Sequence, residues 1–513
     1  MALLKSIATV SVWTMASRVL GLVRDILIAR YLGAGFVADA FFVAFKFPNF
    51  FRHLFAEGAF SVAFVPQFAA ILEREGRDAA RAFAQAALAV LICVLLPATI
   101  AAQIAMPQIM LGLAPGFKAD PATFQLAVDL TRLTFPYILF MAITALFGGV
   151  MNSLGRFAAA AAAPVLLNIV LIAALIFLRL AMETAGHALA WGVLAAGAAQ
   201  FLLLAVALAR AGMALSLPRP RLNPRVKKLM RLMVPGAIGA GVVQINLVVA
   251  TILASLLPAG SVSYLYYADR LAQLPLGVIG VAVGVALLPL MSRQLSAGDT
   301  SAAQASQNRS IEIALLLTVP AAVALIVIPQ PIIAVLFERG SFDAASTAAT
   351  GRALVAFSLG LPAYVLIKAL APGFFARADT KTPVKIAAVA MAVNVIAAVI
   401  LMQYLAHAGI ALGAALSAWV NAGLLWFGLR RRGYFTTDAR LRRRVPRIVA
   451  AALVMGGCVY YAHARLAIWF DAGFWQQLLA LTVLVVGGFV LYVALLLAMR
   501  VTTPSELRRT LIR

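Results

Sequence analysis

The sequence predicts an all-α polytopic membrane protein of fourteen transmembrane helices. Three observations carry this. Of 513 residues, 64% are hydrophobic and 12% charged, with a mean hydropathy of +0.99. Apolar stretches of about 20 residues, long enough to cross a bilayer, recur along the whole chain. Lys and Arg concentrate in alternate connections between those stretches, as membrane topology requires.

Composition sets the solvent. Soluble domains are usually about a quarter charged, so this chain cannot bury its apolar surface in a water-soluble core. The N-terminal stretch MALLKSIATVSVWTMASRVLGLVRD has arginines inside it and no small-residue cleavage site after a short apolar core; it reads as a retained first helix. Cys93 and Cys458 sit in apolar runs. With the scattered His53, His187, His407 and His463, they suggest neither a disulfide framework nor a metal site. His407 and His463 read as interfacial. A net charge of +24 would point to nucleic acid in a soluble protein; here its placement in loops excludes that reading.

The expected spans are 8–32, 40–69, 83–107, 126–151, 157–180, 187–209, 232–256, 262–291, 311–330, 351–372, 384–404, 408–429, 447–466 and 476–499. Basic residues follow the even-numbered spans: Arg74, Arg77 and Arg81; the run from Arg210 to Arg231; Arg377, Lys381 and Lys385; the run from Arg430 to Arg447; and the C-terminal arginines. The opposite connections carry little beyond Lys118 and Arg339. Both termini are therefore expected in the cytoplasm, with the basic loops also meeting anionic membrane lipids. The Pro-rich basic connection at 210–231 separates six spans from six. LGAGFVADAFF (32–42) resembles LPAGSVSYLYY (257–267), and EGAFSVAFVPQ (57–67) weakly matches GVAVGVALLPL (280–290). Six spans per half preserve orientation, so the repeat is parallel. The expected domains are 1–215 (six helices), 216–430 (six helices), and 431–513, which holds two further helices and the tail.

Charge inside these spans is the main functional signal, because a Lys or Arg at mid-bilayer costs roughly 2.5–3.5 kcal/mol. On the first helix, with Ser17 as zero, Arg24 lies at about −20°, Gly21 at about 40°, Thr14 at about 60°, Asp25 at about 80° and Arg18 at about 100°. They form one polar stripe. Arg30, at about 220°, is expected to snorkel outward. The second span repeats the pattern with Lys46, Asn49 and Arg52 around Pro48, a candidate kink, and Asp39 reads as the cap of that helix. The eighth span adds Ser263, Tyr267 and Arg270 on one face. Cations exceed carboxylates in this set, which predicts a hydrated cavity and an anionic ligand. Arginine suits phosphate through its two-pronged donor fork. Arg132, Arg179, Arg352 and Arg465 read as span-end snorkels. The chain shows no Walker A loop, HExxH or Ser/His/Asp pattern, so it reads as a transporter and not an enzyme, without cofactor or metal.

The stretch SRVLGLVRDILIARYLGAGFVADAFFVAFKFPNFFRHLFAEGAFSVAFVP closely resembles the start of the MurJ/MviN lipid II flippase family of the multidrug/oligosaccharidyl-lipid/polysaccharide exporter superfamily. GSVSYLYYADRLAQLPLGVIGVAVGVALLPLMS, LFERGSF and KALAPGFFARADTKTPVKIA resemble it too. The resemblance implies two six-helix lobes around a central cavity and a tail groove along two C-terminal helices. It also implies cavity roles for Arg18, Arg24, Arg52 and Arg270, with Asp39 involved. Some members carry a carboxylate where this chain has Gln273, and some bind sodium through acids in the seventh and eleventh spans. This chain has no Asp or Glu at 232–256 or 384–404.

The implied activity is flipping of lipid II from the cytoplasmic to the outer leaflet of a bacterial inner membrane by alternating access, with a cationic central cavity binding the pyrophosphate; together with the residues read from the helix faces, the candidate substrate-binding set is Arg18, Arg24, Asp25, Asp39, Lys46, Asn49, Arg52, Ser263 and Arg270. Other cell-wall synthesis proteins are candidate partners. The nearest alternative is a flippase for another polyprenyl-pyrophosphate-linked oligosaccharide. A drug exporter would favour cavity carboxylates, a scaffold would not need intramembrane arginines, and a glycan polymerase would need a long catalytic outer loop.

Overall fold

A computed structural model of the chain describes residues 2–52, 60–217, 219–220 and 223–502, with side chains at 2–7, 51–52, 234–243 and several positions between 278 and 285 outside the described set. Among the described residues the structure is helical, without strands. Contacts divide it into two compact units, one of 1–263 with Gly340–Phe342, the other of 264–339 and 343–513.

The first unit contains α1 (Ala2–Leu32), α2 (Phe36–Arg52), α3 (Phe60–Ile104), α4 (Met106–Leu113), α5 (Pro121–Thr134), α6 (Tyr137–Ser153), α7 (Ala158–Ala173), α8 (Ala185–Arg210) and α9 (Pro224–Ser255). At 45 residues, α3 would be about 67 Å long if straight, over twice the hydrocarbon thickness. It is not straight. Gly76 has φ 85° and ψ −176°, a backbone that a side chain disfavours. Phe64 and Phe83 would lie about 28 Å apart along one straight helix, yet their rings stack at 5.5 Å. The helix thus folds back at Gly76, with Arg74 and Arg77 exposed beside the bend. Its two arms supply the end of the second expected span and the third. Their Phe60, Phe64, Phe68 and Phe83 form a core with Leu146, Val150 and Leu204.

Contacts place α9 with this unit because α3 packs on it, Arg225 pairs with Glu75 at 2.8 Å, and the Ser255 hydroxyl accepts from the Gly116 N–H at 3.2 Å. The contact division consequently falls at 263, within α10. The lobe boundary expected at 215/216 describes the repeat and stays a proposal.

α10 (Ser261–Ser296) begins in the first unit and continues into the second, followed by α11 (Thr300–Val327), α12 (Pro329–Phe337), α13 (Ala344–Leu370), α14 (Pro372–Phe375), α15 (Lys381–Leu405), α16 (His407–Arg431), α17 (Ala439–Arg465), α18 (Ala467–Phe470) and α19 (Phe474–Ala498). Gly409 and Gly413 let α16 reach the backbone of α15: a Cβ at Gly409 would lie 2.3 Å from the Leu401 carbonyl oxygen, and one at Gly413 2.8 Å from the Ala398 nitrogen. This is small-residue packing of the kind that holds helices together in lipid. α17 and α19 form a satellite core of Ile448, Met455, Val459, Leu484 and Tyr492, and the Tyr492 hydroxyl donates to the Leu316 carbonyl of α11 at 2.8 Å. Their other faces expose Leu453, Val483, Val486 and Val490, as lipid-facing helices do. His407, expected at the interface, is instead buried: Ala349 offers its ring a carbonyl partner at 2.8 Å, and Tyr264 packs on its face.

Among the described residues ten helical stretches are long and apolar enough to cross a membrane. α1, α2, α9 and α10 are not among them. α2 is only 17 residues long, and the other three carry charges or have side chains described only in part, so ten counts long apolar helices and not spans. The chain is a multi-pass membrane protein.

Candidate functional site

On α1 the polar stripe exists, and much of it packs on α7. Arg24 and Asp25 are buried, at 6% and 4% exposure. Arg24 donates through Nε and Nη2 to Asp25 Oδ1 at 3.0 and 2.7 Å, and through Nη1 to Asn168 Oδ1 at 2.9 Å. Asn168 Nδ2 in turn donates to the Ser17 carbonyl at 3.0 Å. Gly21 faces the Asn168 amide at ordinary contact distance. A buried arginine needs such company, because removing a charge from water costs several kcal/mol unless it is paired and hydrogen-bonded. Asn168 was missed from sequence, although it is the one polar side chain in AAAAAAPVLLNIVLIA. Arg18, at the stripe's edge, is exposed, and so is Arg30. The Arg179 guanidinium lies 4.2 Å from the centre of the Tyr31 ring, with Arg30 5.7 Å from it.

Asp39 does not cap its own helix. Its N–H already bonds the Gly35 carbonyl, so it lies inside the first turn of α2. Its carboxylate instead caps α10. Oδ2 accepts from the Gly260 N–H at 2.6 Å, and Oδ1 accepts from the Ser263 N–H at 2.8 Å and the Ser263 hydroxyl at 2.5 Å. Asp39 and Ser263 are 2% and 0% exposed. The arrangement follows from helix ends: the first N–H groups of α10 have no intrahelical acceptor, and the positive end of the helix dipole favours an anion there. Spacing could not reveal this, because the capping residue lies over two hundred positions from the helix it caps.

Lys46 is half-buried, and its ammonium reaches the Thr251 hydroxyl of α9 at 3.4 Å. Asn49 is half-buried on the same helix, which continues through Pro48. The Arg52 side chain lies outside the described residues. On α10, in the second unit, Arg270 is half-buried; it donates to the Tyr266 hydroxyl at 3.2 Å and lies over that ring at 4.9 Å. Gln273 donates to Asp269 one turn earlier. The structure therefore joins Arg24 with Asp25, and Asp39 with Ser263.

A second charged cluster went unread in the sequence. The buried carboxylate of Glu312 on α11 accepts from Arg444 at 2.5 Å, from Arg440 at 3.2 Å and from Arg309. Arg309 also pairs with Asp438, which caps α17 through the Leu441 N–H at 2.7 Å. Two arginines that read as topology signals thus also fasten α17 to α11. The signal available was Arg309 and Glu312 three residues apart on one helix face.

The sequence model of the family described as "Lipid II flippase MurJ" matches residues 28–481. A probable lipid II flippase MurJ of Rhizobium meliloti (strain 1021) is 46% identical, over 100% of this chain and 97% of its own length. The lipid II flippase MurJ of Burkholderia cenocepacia is 38% identical, over 97% of each. The solved structure "Lipid II flippase MurJ, inward closed conformation" superposes with a TM-score of 0.79 at 26% identity, over 98% of this chain and 99% of that one. An inward-facing multidrug-resistance transporter of the MOP superfamily shares the fold, with a TM-score of 0.68 at 17% identity over 84% of this chain and 98% of its own. With the family's match spanning almost every helix described above, the chain belongs to the MurJ lipid II flippase family.

Proposed function

We propose that this protein carries lipid II from the cytoplasmic to the outer leaflet of the bacterial inner membrane by alternating access, and that it is a transporter without a catalytic step. The observation that supports this most is family membership over nearly the whole chain, joined to basic side chains inside the helices α1, α2 and α10. Arg18 and Arg270, exposed and half-buried respectively, attract the pyrophosphate. Lys46 and Arg52 extend the same basic character along α2, with the neutral amide of Asn49 between them in sequence. Arg24 and Asp25, closed on Asn168, hold α1 against α7, and the Asp39–Ser263 bonds hold the start of α10. The isoprenoid tail stays in lipid along α17 and α19. Both termini lie in the cytoplasm, as the basic connections require. A membrane potential negative inside favours outward movement of bound negative charge by about 2.3 kcal/mol per charge per 100 mV.

The test is depletion of the protein in its host, with lipid II exposure on the outer leaflet as the readout. Exposure should fall on depletion and return with the wild-type gene. Arg18→Ala and Arg270→Ala should fail to restore it at normal protein level. Persistent exposure in cells lacking any other flippase overturns the assignment; full rescue by both variants overturns the roles of these arginines.

A further inference from the structure

Two arginines that read from sequence as separate snorkels meet at one point of the first unit. α1 and α7 run side by side in the same direction. Ser17 and Arg24 meet Asn168, and Tyr31, further along α1, meets Arg179, just past α7. Arg179 lies at the end of the apolar stretch Ala158–Ala181, which is long enough to cross the bilayer. Both guanidinia therefore sit near the level of the lipid headgroups, on the side opposite the start of α1. A π-helical turn, Ala174–Leu178, precedes Arg179 and shifts it out of the α-helical register. Its guanidinium comes 4.2 Å from the centre of the Tyr31 ring, and that of Arg30 comes 5.7 Å from the same centre. The two cations are thus no further apart than about a Debye length. Arg30 is held in place as well: its carbonyl accepts from the Ser341 N–H at 2.9 Å, and a Cβ at Gly340 would lie 3.1 Å from its Cγ.

A snorkelling arginine turns its donors to water. Arg179 does not, because its Nε is buried and has no hydrogen-bond partner among the described residues. The ring face attracts the cation but does not replace an oxygen acceptor, and a buried donor without one is costly. Neither arginine forms an ion pair among the described residues, and Glu183, the next carboxylate along the chain, is exposed and pairs with neither. The two helix ends offer roughly half a negative charge each. Two guanidinia exceed that by about one positive charge. Ile176, Phe177 and Leu180 beside Arg179 are exposed, as on a lipid-facing surface. The missing acceptor is therefore a singly charged anion carried by a lipid, at headgroup depth. A phosphodiester meets each condition, and its oxygens match the arginine fork. The ammonium of a zwitterionic headgroup would be set against two guanidinia.

We propose that Arg30 and Arg179 bind the phosphodiester of a monoanionic phospholipid, and that the bound lipid ties the end of α1 to the end of the neighbouring span. The proposal does not rest on the transport reading.

The test is photo-crosslinking of the full chain in phosphatidylcholine nanodiscs. One set contains a small fraction of diazirine-bearing phosphatidylglycerol, the other the same fraction of diazirine-bearing phosphatidylcholine. Attachment sites are mapped by mass spectrometry of the peptides. Attachment at Ile176–Leu180 should favour phosphatidylglycerol. A basic residue near an anionic headgroup is worth about fivefold, so Arg30→Gln and Arg179→Gln should each lower that preference about fivefold. The double variant should fall to the phosphatidylcholine level. Attachment at the basic start of α17 should be unchanged in every variant, which shows that they fold. Should Arg179→Gln fail to fold, Arg30→Gln, on an exposed side chain, decides alone. Equal attachment of both probes in wild type, or a preference that survives in the variants, overturns the proposal. Excess inorganic phosphate should leave the preference intact; if phosphate erases it, the site takes a free anion and the lipid assignment fails.

Discussion

Replacing Asp39 with alanine strips three acceptor contacts from the start of α10 at once. The Gly260 N–H, the Ser263 N–H and the Ser263 hydroxyl all end on this carboxylate at 2.5–2.8 Å, inside a site where Asp39 is 2% exposed. Hydrogen bonds to a charged group contribute about 1.5–3 kcal/mol each, so a simple sum would reach about 4.5–9 kcal/mol. The sum overshoots, because alanine also relieves the carboxylate of its desolvation. What remains is two backbone N–H groups without this acceptor, each costing about 1–3 kcal/mol when left unsatisfied, so the expected loss is roughly 2–6 kcal/mol. Asp39→Asn keeps one acceptor oxygen but turns an NH₂ toward the Gly260 N–H and gives up the charge at the helix dipole. It should cost roughly 1–3 kcal/mol. Ser263→Ala removes one of the three bonds and should cost about 1–2 kcal/mol. The assay is reversible unfolding of purified protein in mixed detergent and SDS, followed by tryptophan fluorescence. Because Asp39 and Ser263 share a bond, the double variant Asp39→Ala/Ser263→Ala should cost less than the two singles added, by about 1 kcal/mol or more. Additive costs, or an Asp39→Asn variant as stable as wild type, would refute the capping argument.

Three further outcomes follow from the same geometry. Asp25→Ala removes the carboxylate beside the buried Arg24 and should destabilise by roughly 3–5 kcal/mol, whereas Arg24→Leu/Asp25→Leu should cost less than Asp25→Ala alone; the same unfolding assay decides, and the opposite order rejects the pairing. Glu312→Ala takes the shared partner from Arg309, Arg440 and Arg444 and should loosen α17 from α11, seen as faster hydrogen exchange in the first turns of α17; unchanged exchange shows that the cluster does not fasten it. Asp379 is held down to about 2, chiefly by the Thr382 N–H and hydroxyl and then by Arg432. This lies below the about 3.9 of an ordinary aspartate. Its contribution to the start of α15 is therefore complete above about pH 4 and is lost as pH falls toward about 2. Hydrogen exchange across that range should show α15 fraying at its N-terminus in wild type and no such pH dependence in Asp379→Asn.

Much of this protein was legible without coordinates, because bilayer physics writes itself into linear sequence. Hydrocarbon thickness sets the length of apolar runs, and translocation sorts basic residues to one side, so helical class and multi-pass character follow from composition and spacing. The polar stripe on α1 was also legible, since α-helical angles are fixed by the backbone: Ser17, Gly21, Arg24 and Asp25 do share a face. Sequence could not say what the face meets. Counting cations against nearby carboxylates did not show that Arg24, paired with the adjacent Asp25, also meets Asn168, whose chain position lies 144 residues away. Asp39 shows the same gap, since a carboxylate at a helix start suits its own helix or any other helix end brought near it. Glu312, His407 and the fold-back of α3 at Gly76 likewise depend on which surfaces touch. Local periodicity, charge and length were thus determined by the sequence on its own, as properties of a chain in a membrane. The partner of each buried charge was decided by tertiary structure, because in a low-dielectric interior a charge is stabilised by whichever donor or acceptor the packing brings within about 3 Å, regardless of its distance along the chain.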